Sequence, residues 1–441
     1  MNRRDFFKDA AALTLTAAMS VEAAELLADS PRGAPQQPAP KLDDDDKVQG
    51  PPVNCAVIGL SYQGREMLSV LAKMGVGAPV SMVCDTFAAP NFLKKATAIA
   101  PSAKVVDDYR KVLDDKSVQA VFVVTPTHKH KQIVLDALAA EKNVYCEAPL
   151  SNDLDEAKAI AKAGKEAKTI FQSGLQSRSN KQNHHVFKFV ESGQLGDIAF
   201  GRAQYHERTN WVRLDPRDER QRELNWRLRK ETSLGLIGEI GIHQIDTASW
   251  FFKALPVSVT GFSGIMAYND GRTVPDTVQC VVEYPNNVRF VYDATLANSF
   301  EGRYETFYGT VSAIQLRDLE AWMIKEVDSK LNGWEPFARK DHYMIRYGDT
   351  NSGRDIGTGI ALVADATKQL KHGLDPGKTG TDLSKSALYQ AVLEFLNSIN
   401  QKKQLGAGPV EGYQATVVAC KANEAALSGN KLTFEKTWFE I

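Results

Sequence analysis

The chain lacks a surplus of either charge: 53 Lys plus Arg against 54 Asp plus Glu leave a formal net charge of −1. Nucleic-acid-binding proteins usually carry a basic excess, so that class is set aside, as is a polybasic membrane-surface protein. No uncharged apolar run approaches the ~18 residues that suggest a membrane span. Five Cys in 441 residues make no disulfide scaffold. Cys55, Cys84, Cys146 and Cys280 lie in strand-like apolar runs and Cys420 in a helical one, where thiols serve as small buried hydrophobes. What is left is an ordinary soluble composition, 43% hydrophobic and 24% charged, long enough for two or three domains.

The N-terminus reads as an address. Arg3-Arg4, then Phe6-Phe7-Lys8, precede an uncharged stretch from Ala10 to Val21. This resembles the bacterial twin-arginine (Tat) export signal; an amphipathic N-terminal helix is the alternative. On the first reading residues 1–28 are a signal peptide, the Tat machinery is a partner, and the mature chain is periplasmic or otherwise exported. Residues 29–52 hold Pro31, Pro35, Pro38, Pro40, Pro51 and Pro52, the composition of an extended linker. Inside it Asp43-Asp44-Asp45-Asp46-Lys47 matches an enteropeptidase recognition sequence, either an engineered remnant or a chance acidic run.

From Val53 the pattern changes. Val53–Ile58 is a short apolar run, Gly59-Leu-Ser-Tyr-Gln-Gly64 follows, a helix-like stretch reaches Lys73, and Val80–Cys84 is a second apolar run closed by Asp85. Strand, tight turn, helix, strand and acid form the context of a dinucleotide-binding fingerprint. Gly59 suits the turn and Gly64 close helix packing. The helix N-terminus suits a pyrophosphate. Asp85 suits the ribose hydroxyls and disfavours a 2′-phosphate, so NAD is expected over NADP. The middle glycine position holds Ser61 instead. Apolar strands then alternate with helices through Val118–Val124, Asn143–Cys146 and Thr169–Gln172, which predicts a doubly wound parallel sheet. Strand ends would gather Gly59, Asp85, Thr125, Glu147 and Gln176 at one crevice.

Four segments resemble the Gfo/Idh/MocA family of NAD(P)-dependent sugar oxidoreductases: Ala56–Gly64 with Asp85; Thr125-Pro-Thr-His-Lys-His130; Tyr145-Cys-Glu-Ala-Pro-Leu150, like the family's Glu-Lys-Pro; and Gly238–Asp246, like its Asp-x-Gly-x-His-x-x-Asp. The resemblance implies an α/β protein: an N-terminal Rossmann domain over 53–177, and over 178–441 a substrate-binding and dimerisation α/β domain with a large, mostly antiparallel sheet. It implies a homo-oligomer, a small carbohydrate substrate, and hydride transfer between a sugar carbon and nicotinamide C4. The NAD contacts implied are Gly59, Ser61, Tyr62, Gln63, Gly64, Asp85, Thr125, Pro126, His130 and Glu147. Two departures stand out: Ala148 replaces the family's usual acid/base lysine, and Glu239 replaces the first Asp of the later motif. Relatives without that lysine, such as NAD-dependent α-N-acetylgalactosaminidases, oxidise a ring carbon transiently, eliminate the aglycone, add water and return the hydride. Three functions follow: a sugar or glycoside oxidoreductase, a redox-neutral glycoside hydrolase, and a degenerate binding protein.

Glu239, His243 and Asp246 fall at i, i+4, i+7, one face of an α-helix among Leu236, Ile237, Ile240, Ile242 and Ile245. His243 is the expected base for a sugar hydroxyl, oriented by Asp246 or Glu239. Tyr205 and His206 end a strand, and alternation points only one of them at the site. Arg178 and Trp226 are expected at the substrate, His128 and His130 on the cofactor side or as caps, and His184 and His185 in solvent. No second His stands at ligand spacing in this segment, so no metal is expected.

Overall fold

The computed structural model describes residues 46–86, 90–214, 221–317, 320–346, 353–364, 386–403 and 405–441. The signal-like residues 1–28 and the linker up to residue 45 lie outside them. Six strands form a parallel sheet: β1 (Cys55–Ile58), β2 (Val80–Cys84), β3 (Lys104–Val106), β4 (Ala120–Val123), β5 (Asn143–Cys146) and β6 (Phe171–Ser173). Their order is β3-β2-β1-β4-β5-β6, so the winding reverses between β1 and β4, where such sheets open a ligand crevice. The helices are α1 (Tyr62–Met74), α2 (Pro90–Ile99), α3 (Arg110–Asp114), α4 (His130–Ala139) and α5 (Leu154–Glu166).

Alternation in β1 decides the layers. Ala56 and Ile58 face a core with Ile133 and Val134 of α4 and Ile160 of α5. Cys55 and Val57 face a second core with Met67 and Leu71 of α1. That second core is completed from far along the chain. Phe395, on α8 (Ala387–Gln401; α6 and α7 are given below), has its ring 5.5 Å from Phe122 of β4 and 5.9 Å from Tyr145 of β5. The span 178–441 therefore does not keep to its own sheet: one of its helices covers the cofactor sheet. The linker expectation is corrected too. Asp46 is 2% exposed, its carboxylate takes a hydrogen bond from Lys181 Nζ at 2.7 Å, and its carbonyl takes one from Tyr389 Oη. Residues 46–52 are thus tied to the fold rather than free of it, with Gln49 and Pro51 also hydrogen-bonded to α8.

The second sheet has ten strands: β7 (Ile198–His206), β8 (Ser258–Gly264), β9 (Thr277–Glu283), β10 (Arg289–Thr295), β11 (Arg303–Gly309), β12 (Ser312–Arg317), β13 (Glu320–Lys325), β14 (Lys340–Arg346), β15 (Gly353–Ala361) and β16 (Leu432–Thr433). Their order is β14-β15-β13-β12-β11-β7-β10-β9-β8-β16. Among the described strands of this second sheet, only β7 and β10 pair in parallel. Strands β11 and β12 form a hairpin turning at Thr310 and Val311. Gly309 marks it: a Cβ there would lie 2.1 Å from the Leu195 carbonyl oxygen. Helices α6 (Lys181–Glu191), α7 (Ile242–Phe252) and α9 (Pro409–Ser428) pack on this sheet, with Phe251 of α7 4.8 Å from Phe307 of β11, and α9 also reaches β6 of the first sheet. All five cysteines are free. Among the described residues no helix is long and apolar enough to cross a membrane.

Candidate active site

The cofactor side is built by main chain. Gly59 has φ +103°, and a Cβ on it would lie 2.5 Å from the Val124 carbonyl oxygen. A Cβ on Gly64 would lie 1.9 Å from the Gly59 carbonyl oxygen. Both positions therefore require glycine, and β1 runs straight into α1. Ser61 precedes α1 without capping it through its side chain, so first-turn N–H groups remain for an anion. Asp85 Oδ2 accepts a hydrogen bond from Leu60 N at 2.6 Å, tying the end of β2 to the turn. Asp85 also lines a cavity of about 500 Å³ with Lys104, Val106 and Lys111. Thr125 Oγ1 is buried with no hydrogen-bond partner. A positive-φ turn free of side chains, open N–H groups, an acid 21 residues beyond Gly64 and an orphaned hydroxyl fit NAD.

His130 is corrected. It is 1% exposed, with Nε2 3.0 Å from Thr125 O and Nδ1 3.1 Å from Pro149 O. It braces the turns after β4 and β5 instead of facing a ligand. Glu147, after β5, is buried and takes hydrogen bonds from Gln63 and Gln176 at 3.2 and 3.5 Å. Burial raises its carboxyl to about 7, against the pull of Gln63 and of Arg227. Ala148 beside it packs near Leu175, Leu234 and Ile242.

The second-domain side departs from the one-face expectation. Ile237–Gly241 is a turn of π-helix, and α7 starts only at Ile242. Gly238 and Gly241 let it pack: a Cβ on Gly241 would lie 2.8 Å from the Tyr292 ring. The wider turn shifts the phase of the stripe. Glu239 is reached by Thr127 Oγ1 at 3.2 Å and Ser233 Oγ at 3.1 Å, with Arg227 Nε at 3.5 Å. Asp246 gives both oxygens to Arg178, at 2.8 and 2.9 Å. Neither acid orients His243, and Arg178, held bidentately, is not free for substrate. Burial raises both carboxyls; Arg227 opposes it at Glu239 and Arg178 at Asp246. No described group hydrogen-bonds the His243 ring. Its imidazole is pushed down to about 4 by burial and then by Arg303.

Tyr205 and His206 part as alternation requires. His206 faces away, bonding Asp293 Oδ2 at 2.7 Å and Phe300 O at 3.0 Å, so it is no substrate group. Tyr205 donates to Glu207, pairs across the ladder with Arg303, and feels Arg303 and Arg227. Trp226 lies beside Arg227 (5.1 Å) and His128 (6.2 Å). His184 is not simply solvated: Nε2 is 2.7 Å from Arg178 O. Arg303, Ser233 and Thr127 were not foreseen. Only strand register and the crossing of Thr127 to Glu239 reveal them, and no local motif signals either. Among the described residues no cluster of three His, Cys, Asp or Glu could hold a metal.

Residues 53–175 match the oxidoreductase-family NAD-binding Rossmann profile of Gfo/Idh/MocA, and 184–314 match a C-terminal domain of the same family. Levoglucosan dehydrogenase of Pseudarthrobacter phenanthrenivorans is 25% identical over 290 residues, 59% of this chain and 73% of its own. The 2,7-anhydro-N-acetylneuraminate hydratase of Escherichia coli is 24% identical over 266 residues, 60% of this chain and 67% of its own. A structure of levoglucosan dehydrogenase with NADH and L-sorbose superposes with TM-score 0.67 at 20% identity, covering 88% of this chain and all of that one. Two successive domain matches, together more than half of the chain, and the paired-sheet fold place it: the chain belongs to the Gfo/Idh/MocA oxidoreductase family, and its Rossmann domain is NAD-binding.

Proposed function

We propose that the protein is an exported NAD-dependent oxidoreductase acting on a sugar or glycoside, with His243 as the group that takes the substrate's hydroxyl proton. The observation that carries this is the His243 imidazole: half-buried, uncharged near neutral pH and without a hydrogen-bond partner among the described residues. A neutral ring can accept a proton from a hydroxyl as hydride leaves the carbon. Bound NAD supplies the hydride acceptor. Gly59–Gly64, Asp85, Thr125 and Glu147 would hold it. NADH formation on addition of sugars to the purified protein tests the reading; loaded protein inert to neutral and acidic sugars and to glycosides would contradict it.

A redox-neutral cycle is the second reading. Ala148 favours it, since no lysine stands where the family usually keeps one, and so does the likeness to a hydratase of an anhydro sugar. Aglycone release from an aryl glycoside without net NADH would select it. Export rests on the Arg3-Arg4 segment. Replacing both by Lys and fractionating cells tests it, retention inside the cell being the expected result.

A further inference from the structure

Glu239 stands four residues before His243 and Asp246 three residues after it, and each is bonded away from the ring. Glu239 is buried, and its two hydroxyl donors share one oxygen: Thr127 Oγ1 lies 3.2 Å and Ser233 Oγ 3.1 Å from Oε1. The Ser233 oxygen also accepts from Gly235 N at 3.0 Å, which leaves its proton for the carboxylate. Oε2 has only longer approaches, 3.5 Å from Thr127 Oγ1 and 3.5 Å from Arg227 Nε. Thr127 opens the short turn Thr127–Lys129 after β4, two residues beyond Thr125, whose buried hydroxyl has no partner. Arg178, which holds Asp246, belongs to the turn Gln176–Ser179 after β6, and Gln176 of that turn reaches Glu147. Both bonds thus run from the segment carrying His243 to strand ends of the parallel sheet, where its crevice opens. The His243 ring has no hydrogen bond of its own among the described residues, so its place at the crevice is set through its segment.

We infer that Glu239 is a positioning residue that neither gives nor takes a proton in the reaction: through Thr127 it brackets the His243 segment to the turn after β4, with Asp246 as the second anchor. The bracket sets how far His243 stands from a cofactor held at that turn. The inference rests on the proposed function, whose base it assumes. Because Thr127 and Ser233 both address Oε1, an amide oxygen at position 239 can take both bonds. An aspartate, one methylene shorter, cannot reach them. For a group acting by its charge or its proton the order reverses: aspartate would serve and glutamine would not.

The test compares Glu239→Gln, Glu239→Asp and Thr127→Val. In apo protein with isotopically labelled histidine, the wild-type His243 ring should titrate at about 4, its signal identified by its loss in His243→Asn. Glu239→Gln should leave that midpoint there or lower. Glu239→Asp and Thr127→Val should raise it by about one unit toward 6.5, as the loosened ring gains water. On D-glucose, D-galactose and their 4-nitrophenyl glycosides, kcat should fall about 10- to 100-fold in Glu239→Asp and Thr127→Val with NADH affinity unchanged. Glu239→Gln should keep most of what Glu239→Asp loses. Equal or greater loss in Glu239→Gln than in Glu239→Asp, or wild-type values for Glu239→Asp and Thr127→Val in both measurements, would overturn it. Should Glu239→Asp not fold, Thr127→Val against Glu239→Gln decides. A wild type that binds NADH but converts none of these compounds counts against the proposed function, and the His243 titrations then decide the bracket by themselves.

Discussion

On the cofactor side of the crevice the backbone does the positioning: two glycines, a positive φ, and Asp85 tied to a main-chain N–H. On the second-domain side one side chain positions another: Glu239 through Thr127 and Ser233, Asp246 through Arg178, Tyr205 through Glu207. The first arrangement tolerates few residue types at fixed spacing, and Ser61 and Ala148 are local exceptions within it. The second can change partners whenever a helix turn widens or a strand shifts. The difference suggests a fixed cofactor seat facing a variable substrate wall.

The sharpest way to break that contrast is Gly64→Ala. With a Cβ 1.9 Å from the Gly59 carbonyl oxygen, the turn must open, and NADH fluorescence should show cofactor binding lost; retained affinity would mean the seat is adaptable after all. Next comes Arg178→Met, which strands the buried Asp246 carboxylate. Breaking such a pair costs about 3–5 kcal/mol, so denaturant melts should shift by that order while NAD affinity in the folded protein holds. A cost under about 1 kcal/mol would show a surface-like pair.

Titration separates the two sides by sign. Folded Glu147 holds its proton to about pH 7, while the unfolded side chain releases it near 4.5. Stability from this group is fully present below 4.5 and lost as pH rises to 7. Folded His243 refuses a proton until about pH 4, while the unfolded ring takes one near 6.5. Its contribution is present above 6.5 and lost as pH falls to 4. In apo protein melts, Glu147→Gln should flatten the first loss and His243→Asn the second. Changes of the same sign would refute the assignment. The smallest effect is at Asp85. The unmutated protein should prefer NAD to NADP, and Asp85→Ser should erode that preference by about tenfold; equal affinities before mutation would remove the role.

The parallel sheet, its strand ends and the cofactor turn could be read from residues alone, because apolar runs, glycines and one acid at set spacing carry backbone geometry. The stripe Glu239–His243–Asp246 could not, because nothing local announces a π-turn, and the i, i+4, i+7 rule assumes a regular helix. Alternation separated Tyr205 from His206 but did not say which faced inward; Asp293 and Glu207, on different strand positions, decide it. Arg303 was invisible for the same reason, since only register places it opposite Tyr205. Phe395 shows the longest reach: a helix beyond residue 386 completes the first sheet, and no sequence pattern encodes which sheet a helix covers.

With no lysine at position 148, the proton chemistry proposed for this site falls to His243. The most direct measurement is turnover of wild type and His243→Asn at matched NAD occupancy, on whichever sugar or glycoside the wild type converts, followed by both NADH and product. Turnover should fall by about 10²–10⁴ with NAD affinity unchanged. Normal turnover in His243→Asn would make this a packing histidine and contradict the account.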